Sequence, residues 1–215
     1  LHARPGRIDG DVERRLVFLG LIAMRDPVRP EARPAVDLLH RAGIRTVMIT
    51  GDQRETADAI ACDLGLHAGG DTVTGAQLNE MSNDELHARV RNIAVYARTT
   101  AAHKFRIVQA WQAHGEVVAM TGDGVNDAPA LKQADVGIAM GLSGTEVTKD
   151  AADMVVTDDN IASIAAAGEE GRVIYANIQK AVSYLLSQNS GEILVMFGAA
   201  LMGVPLPLVP VQILW

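Results

Sequence analysis

Apolar positions along the chain fall into short continuous runs that alternate with stretches of helical period. The runs are Leu16 to Ala23, Ile44 to Ile49, Ile93 to Ala97, Glu116 to Met120, Val136 to Met140 and Met154 to Val156. Each has the length of a strand and is mostly apolar, interrupted by Arg45 and Thr46 in the second and opened by Glu116 in the fourth, as buried strands of a parallel sheet can be. Between them, Glu31 to Ala42 carries apolar residues at 32, 35, 36, 39 and 42, a helical period closed by Gly43. Glu55 to Leu64 stops at Gly65, Ser82 and Glu85 form a capping box for a helix through Val90, and Ala101 to Ala113 and Asn126 to Gln133 complete the helical set. Asp71 to Gly75 reads as a short connection. Strands alternating with helices over roughly 140 residues predict an α/β domain, a parallel sheet with helices on both faces.

The pattern changes at Ile161. From there to Met202 no proline occurs and the chain grows steadily more apolar. A helix of that length spans about 60 Å, twice a hydrocarbon core, and Ala181 to Leu201 is the part expected to cross a membrane. Gly203 to Pro207 is a turn, and Val209 to Trp215 begins a second apolar segment. At the other end, Leu1 to Arg15 is polar and reads as a linker. The segmentation is therefore 1–14 linker or remnant of another domain, 15–160 α/β domain, 161–202 long helix, and 203–215 a turn with the start of a next membrane segment.

Composition narrows the partners. The net charge is −7 over 215 residues, so no basic surface for nucleic acid is expected. The single cysteine, Cys62, excludes a disulfide framework and reads as a small buried filler. The chain begins at Leu1, carries no signal peptide and stops inside an apolar run, which suggests a piece of a longer polypeptide.

The chemistry gathers at strand ends. Met120 leads into Thr-Gly-Asp-Gly-Val-Asn-Asp-Ala-Pro, which turns on Gly122 and Gly124 and enters a helix with Pro129 in its first turn. That turn sets Asp123, Asn126 and Asp127 at the carboxyl end of a strand beside a helix N-terminus, where open parallel sheets bind ligands. Two carboxylates and an N-terminal dipole suit Mg2+ holding a phosphoryl group. Thr50 ends another strand with a hydroxyl, and Lys104 opens the helix after a third with an ammonium. A phosphoryl-transfer site needs a cation clamp, a positive side chain and neutral donors, and these residues fill that set. Singly, each has an ordinary reading: a solvated lysine, a capping threonine, turn aspartates.

The string TGDGVNDAPALKQADVGIAM, Thr121 to Met140, resembles the hinge and Mg2+ motif of P-type ATPases, a branch of the haloacid dehalogenase-like superfamily. The resemblance implies a haloacid dehalogenase-like, Rossmann-like parallel sheet followed by a stalk and transmembrane helix, with ATP and Mg2+ as cofactors. It makes Asp123 the Mg2+ ligand, with Asn126 and Asp127 steadying phosphate and metal. MITGD, Met48 to Asp52, resembles the motif whose threonine, Thr50, contacts the phosphoryl group, with Gly51 and Asp52 beside the nucleotide. Lys104 in HKFRIVQ resembles the lysine that neutralises the aspartyl phosphate, and Arg98 a nucleotide-contacting arginine. Asp26-Pro27 with Arg29 resembles the hinge to the nucleotide domain. The family's nucleophile stands in an Asp-Lys-Thr-Gly-Thr string, which this sequence lacks. Asp9-Gly10-Asp11 has a nucleophile's spacing, but no buried strand precedes it. Nucleophile, nucleotide domain and actuator domain are therefore expected upstream, and the chain alone is expected not to turn over.

On the long helix, Asn189 and Glu192 share one face with Gln188 beside them. A carboxylate in a membrane costs about 2.5 to 3.5 kcal/mol, so a cation site is the expectation, with interhelical hydrogen bonding the alternative. Oxygen ligands suit Ca2+. Asn-Ser-Gly-Glu resembles the fifth transmembrane helix of type-II pumps, and PLPLVPVQILW resembles bacterial calcium-type members. The resemblance implies an ATP-driven calcium pump, integral and multi-pass in a bacterial plasma membrane, with residues 1–170 cytoplasmic. The alternatives are a pump for Na+, H+ or Mn2+, or a phosphohydrolase domain held to membrane lipid by one helix.

Overall fold

A computed structural model describes residues 17–20, 22, 27–66 and 70–205. The expected linker, Asp9-Gly10-Asp11, Asp26 and the segment beyond Pro205 lie outside the described residues. The element order is α1 (Ala32–Arg41), β1 (Met48–Ile49), α2 (Arg54–Leu64), β2 (Asp71–Thr74), α3 (Gly75–Glu80), α4 (Asn83–Arg89), β3 (Ile93–Ala97) and α5 (Ala101–Gln112). There follow β4 (Ala119–Gly122), α6 (Ala128–Gln133), β5 (Val136–Met140), α7 (Glu146–Ala151), β6 (Met154–Val156) and α8 (Ile161–Met202).

The strands build two three-stranded parallel sheets, ordered β1-β3-β2 and β4-β5-β6. The expectation was one sheet. Among the described residues β1 and β2 pair only with β3, and β4 and β6 only with β5, so each sheet keeps two unpaired edges. Helix α5 joins them. Its Ile107 and Ala110 pack with Val73, Leu78 and Tyr96 under the first sheet, while Val108 packs with Met120, Ala130 and Leu131 under the second. Ile49 of β1 also leans on that second cluster, which brings the ends of β1 and β4 to the same side of α5.

Local signals acted where they were legible. Gly43 and Gly65 adopt φ of +76° and +75° and end α1 and α2 in the left-handed conformation that glycine alone adopts without cost. Ser82 and Glu85 form their capping box, each side chain taking the other's backbone N–H. Other expectations need correction. Asp71 to Thr74 is a strand, not a connection, and its Thr72 and Val73 are buried against β3. Leu16 to Ala23 was expected to be a strand; its described residues form none, and Val17, Phe18, Leu19 and Ile22 are exposed. Cys62 is exposed on α2, because Ala57 and Ala61 take the face that meets the sheet.

Helix α8 departs from the body. Ala165 is buried, Gly168 lies 3.9 Å from the Ile44 side chain by the position its own Cβ would take, and Arg172 donates to the Ala42 carbonyl. Beyond these contacts with α1 its side chains are almost all exposed. No helix among the described residues is long and apolar enough to cross a membrane. This corrects the expectation for Ala181 to Leu201. Ser187 to Glu192 is a polar block in the middle of that stretch, and the clean apolar run Ile193–Met202 reaches only about 15 Å, half a hydrocarbon core.

Candidate active site

Asp127 organises the site. It closes the 3-10 helix Val125–Asp127, which drops its side chain back under the end of β4. There it is buried, and its Oδ1 meets the Lys104 ammonium at 2.5 Å. Its Oδ2 accepts from the backbone N–H groups of Asp123 and Gly124 at 3.4 and 3.3 Å. A Cβ at Gly122 would sit 2.5 Å from the Asp127 Cβ, so any other residue there would push the carboxylate out of its seat. The result is a compensated buried carboxylate that fixes the shape of the turn.

Asp123 is its opposite. Its carboxylate is exposed and takes no hydrogen bond or ion pair among the described residues, while its backbone is held hard. The Asp123 carbonyl accepts from Thr145 N–H at 3.0 Å and from the fully buried Thr148 hydroxyl at 3.4 Å. A rigid backbone presenting an unpaired carboxylate suits a cation shared with a phosphoryl group. Among the described residues no cluster of three or more His, Cys, Asp or Glu exists to hold a metal. Mg2+, which keeps several waters and needs only one or two carboxylates beside phosphate oxygens, fits such a sparse donor set. Asn126 is exposed on the same turn with no side-chain partner among the described residues.

Lys104 reaches Asp127 because α5 starts on a firm cap. The Thr100 hydroxyl accepts from His103 N–H, and His103 Nδ1 accepts from Thr100 N–H at 3.2 Å. The His103 ring is buried, with Nε2 at 2.8 Å from the Asn79 Oδ1. Because Nδ1 accepts, Nε2 carries the proton and donates to Asn79. Burial lowers the His103 pKa below its ordinary value, and the neighbouring Arg106 adds to the shift.

The second group surrounds Thr50. Its N–H donates to the Tyr96 carbonyl, and its own carbonyl accepts from Thr99 through both N–H and hydroxyl. The Thr50 hydroxyl donates to Asp52 Oδ2 at 2.9 Å and accepts from Asp52 N–H at 3.1 Å. Gly51 is exposed with nothing within 4 Å of where a Cβ would stand, and Arg98 N–H donates to the Asp52 carbonyl. Arg98 itself holds φ of +54°, a left-handed conformation uncommon outside glycine, with its side chain exposed. Among the described residues no hydrogen bond joins this group to the Lys104–Asp127 group; they are neighbours through Ile49 and the α5 cluster.

Asn189 and Glu192 are placed elsewhere. They lie on the far half of α8, Asn189 exposed and Glu192 half-buried, neither with a polar partner among the described residues. Glu192 stands about 50 Å along the chain's helical axis from Asp159, at 1.5 Å per residue. The sequence reading missed Thr99, Thr145, Thr148 and Asn79. Thr145 does carry a readable signal, since it caps α7 by accepting from Thr148 N–H.

This fold and this turn define a parallel α/β domain whose candidate chemistry gathers at its strand ends. A model of the haloacid dehalogenase-like hydrolases matches residues 4–135, and the chain belongs to that family. It is 55% identical over 94% of its length to a calcium-transporting ATPase of Bacillus subtilis, and 51% identical over 95% to calcium-transporting ATPase 1 of Bacillus cereus. It is 53% identical over 93% to a probable cation-transporting ATPase F of Mycobacterium tuberculosis. A zinc-transporting PIB-type ATPase crystallised in its E2.Pi state superposes with a TM-score of 0.63 at 29% identity, covering 84% of this chain and 24% of that one. The chain spans 23% of the length of each of these curated relatives.

Proposed function

We propose that this chain is the later part of the phosphorylation domain, with the fifth membrane helix, of a type-II cation pump that works through an aspartyl phosphate. The observation that carries this is the unpaired Asp123 carboxylate held rigidly beside the compensated Lys104–Asp127 pair. In this reading residues 15–160 form the domain, 161–202 the stalk and membrane helix, and 203–215 the turn to the next helix. Residues 1–170 face the cytoplasm of a bacterial cell. The unpaired edges of β1 and β4 leave room for a further strand, which supports a domain completed by another part of the polypeptide.

Asp123 would hold Mg2+, which when bound neutralises charge on the transferring phosphoryl group. The work of the chain's own residues follows from their geometry. Lys104 lies within hydrogen-bond reach of Asp127 and offers its remaining protons to phosphoryl oxygens, while Asp127 fixes both the lysine and the Gly124 amide. Thr50 and Asn126 supply neutral donors, with the Thr50 hydroxyl leaving Asp52 to do so. Gly51, Asp52 and Arg98 border the nucleotide, and the exposed Gly51 leaves the backbone open to close approach. The sequence carries no Asp-Lys-Thr-Gly-Thr string to supply the nucleophilic aspartate.

Calcium is the proposed cargo, with Asn189 and Glu192 among its ligands and the rest on other helices. The similarity to calcium-transporting ATPases at 55% and 51% identity supports it. Another cation is the second reading, favoured by the equally similar relatives named only as cation-transporting. A single-helix anchor is disfavoured, since α8 by itself lacks the apolar length. Its polar block asks for neighbouring helices around it.

In membranes holding the longer polypeptide, Asp123→Ala is expected to abolish Mg2+-dependent labelling by γ-labelled ATP. The 215-residue chain alone is expected to take up no hydroxylamine-sensitive label. Normal labelling in the variant, with folding checked by tryptic pattern, would overturn the site.

A further inference from the structure

Asp159 sits at a crossing of three parts of the molecule. It stands between β6 and α8 with φ of +51°, a left-handed conformation costly for most residues but tolerated by aspartate and asparagine. Its Oδ1 accepts from Leu142 N–H at 2.9 Å and its Oδ2 from Ser143 N–H at 2.8 Å. Its carbonyl accepts from Arg29 Nη1 at 2.8 Å, on the segment leading into α1. One residue later Asn160 caps α8, its side chain accepting from Ala162 N–H at 2.9 Å.

The loop that Asp159 grips runs straight to the candidate site. Leu142 and Ser143 precede Gly144 and Thr145, and Thr145 N–H donates to the Asp123 carbonyl at 3.0 Å. The loop has little slack. A Cβ at Gly144 would lie 1.9 Å from the Met140 carbonyl oxygen, and one at Gly141 would lie 2.7 Å from the Val156 carbonyl oxygen. The Thr145 hydroxyl lies 2.6 Å from the Thr148 hydroxyl, which also reaches the Asp123 carbonyl. A continuous run of short contacts therefore links Arg29, Asp159, the 141–145 loop and the backbone of Asp123.

We propose that Asp159 is a positioning residue that ties the seat of Asp123 to the first turn of α8 and to the Arg29 segment, so that a shift in one is felt in the others. The consequence for phosphoryl transfer rests on the reading of Asp123 as a metal-holding residue; the mechanical link does not. The link is made of backbone donors on a carboxylate, and those donors, Leu142 first, hold the Asp159 carboxyl below its ordinary range. The alternative is a purely local role, in which Asp159 closes the 141–143 turn and nothing beyond it.

Hydrogen–deuterium exchange on this chain separates the two. Asp159→Asn keeps the left-handed backbone and the side-chain shape but leaves one acceptor for two N–H groups. Asp159→Gly removes the carboxylate while easing the backbone, and serves if the asparagine variant folds poorly. The expected result is faster exchange, by about tenfold for the loss of one hydrogen bond to a charged group. It should appear at Leu142 and Ser143 and also at Thr145, Gly124 and Ala162. Acceleration confined to Leu142 and Ser143, or none at all, would overturn the proposal. Arg29→Gln should raise exchange at the same remote amides by a smaller factor, and no change there would count equally against it. A separate arm adds Mg2+ alone to the wild-type chain and reads protection at Gly124. Its failure would weigh against the metal reading of Asp123 and leave the result on Asp159 standing.

Discussion

The α/β body and helix α8 are built from similarly apolar sequence and treat it in opposite ways. In the body, Val73, Leu78, Leu86, Val90, Ile93, Tyr96 and Ile107 form one buried cluster. On α8, Val173, Ile174, Tyr175, Leu185, Leu186, Ile193, Leu194 and Phe197 are all exposed, and the described residues bury only Ala165 and Ala199. The difference teaches where each region finds its partners. The body is folded by contacts it contains; beyond Arg172, α8 is a helix whose packing partners are not among the described residues. Its polar block, Ser187 to Glu192, has the same standing, for no described side chain answers Asn189 or Glu192.

The largest effect expected on this contrast is functional. In the longer polypeptide, Lys104→Ala should cut phosphorylation from ATP by about 10²-fold or more, the size of losing one preorganised charge-stabilising group. Phosphoenzyme formed in acid-quenched membranes measures it, and a loss below tenfold would remove Lys104 from the site. Stability comes next. Leu86→Ala, at a side chain 1% exposed, should lower unfolding free energy by about 2–5 kcal/mol. Leu185→Ala, at one 57% exposed, should change it by less than about 0.5 kcal/mol in this chain in water. Urea unfolding of both variants tests the comparison directly, and equal losses would mean that the stretch of α8 around Leu185 packs on the body.

A smaller effect is expected at Glu192. On the proposed reading Glu192→Gln removes one charged ligand, worth roughly 1.5 kcal/mol, and should raise the Ca2+ needed for half-maximal phosphorylation of the proposed pump by about tenfold. Phosphorylation backward from inorganic phosphate should be little changed. An unaltered Ca2+ dependence would reject Glu192 as a ligand, and a wild type indifferent to Ca2+ would reject calcium as the cargo.

The smallest effect is a pH dependence inside the body. The folded pKa of His103 lies below its unfolded value, so the unfolded chain binds more protons as pH falls. Stability from the neutral ring is therefore fully present above about pH 6.5. It is lost as pH falls from there through the lower folded pKa. His103→Gln should flatten that part of the urea-midpoint profile between pH 7 and pH 5. A profile as steep as the wild type's would assign the dependence to another group.

Much of the body was legible because its signals are local. Gly43, Gly65, the Ser82–Glu85 box and the runs Ile93 to Ala97 and Val136 to Met140 each depend on a few adjacent residues, and they appear where expected. The strand Asp71–Thr74 was hidden because Asp71, Thr72 and Thr74 carry no apolar alternation; pairing with β3 makes it a strand. Helix α7 was hidden for a similar reason, being six residues with a polar sequence, Glu146 to Ala151. With it went Thr145 and Thr148, whose grip on Asp123 joins positions more than 20 residues apart.

What the sequence determined by itself is the chemistry on offer: a Gly-flanked Asp123, a lysine at the start of α5, and a threonine at the end of β1. These are properties of residue type and of turns only a few residues long. The tertiary structure alone decided which carboxylate is spent and which is left. Asp123 and Asp127 are one turn apart and chemically identical, yet packing against Gly122 buries Asp127 on Lys104, 23 residues away, and leaves Asp123 open. The reason is physical: a carboxylate enters a low-dielectric seat only where a cation and backbone donors already wait, and only the fold brings those from distant parts of the chain.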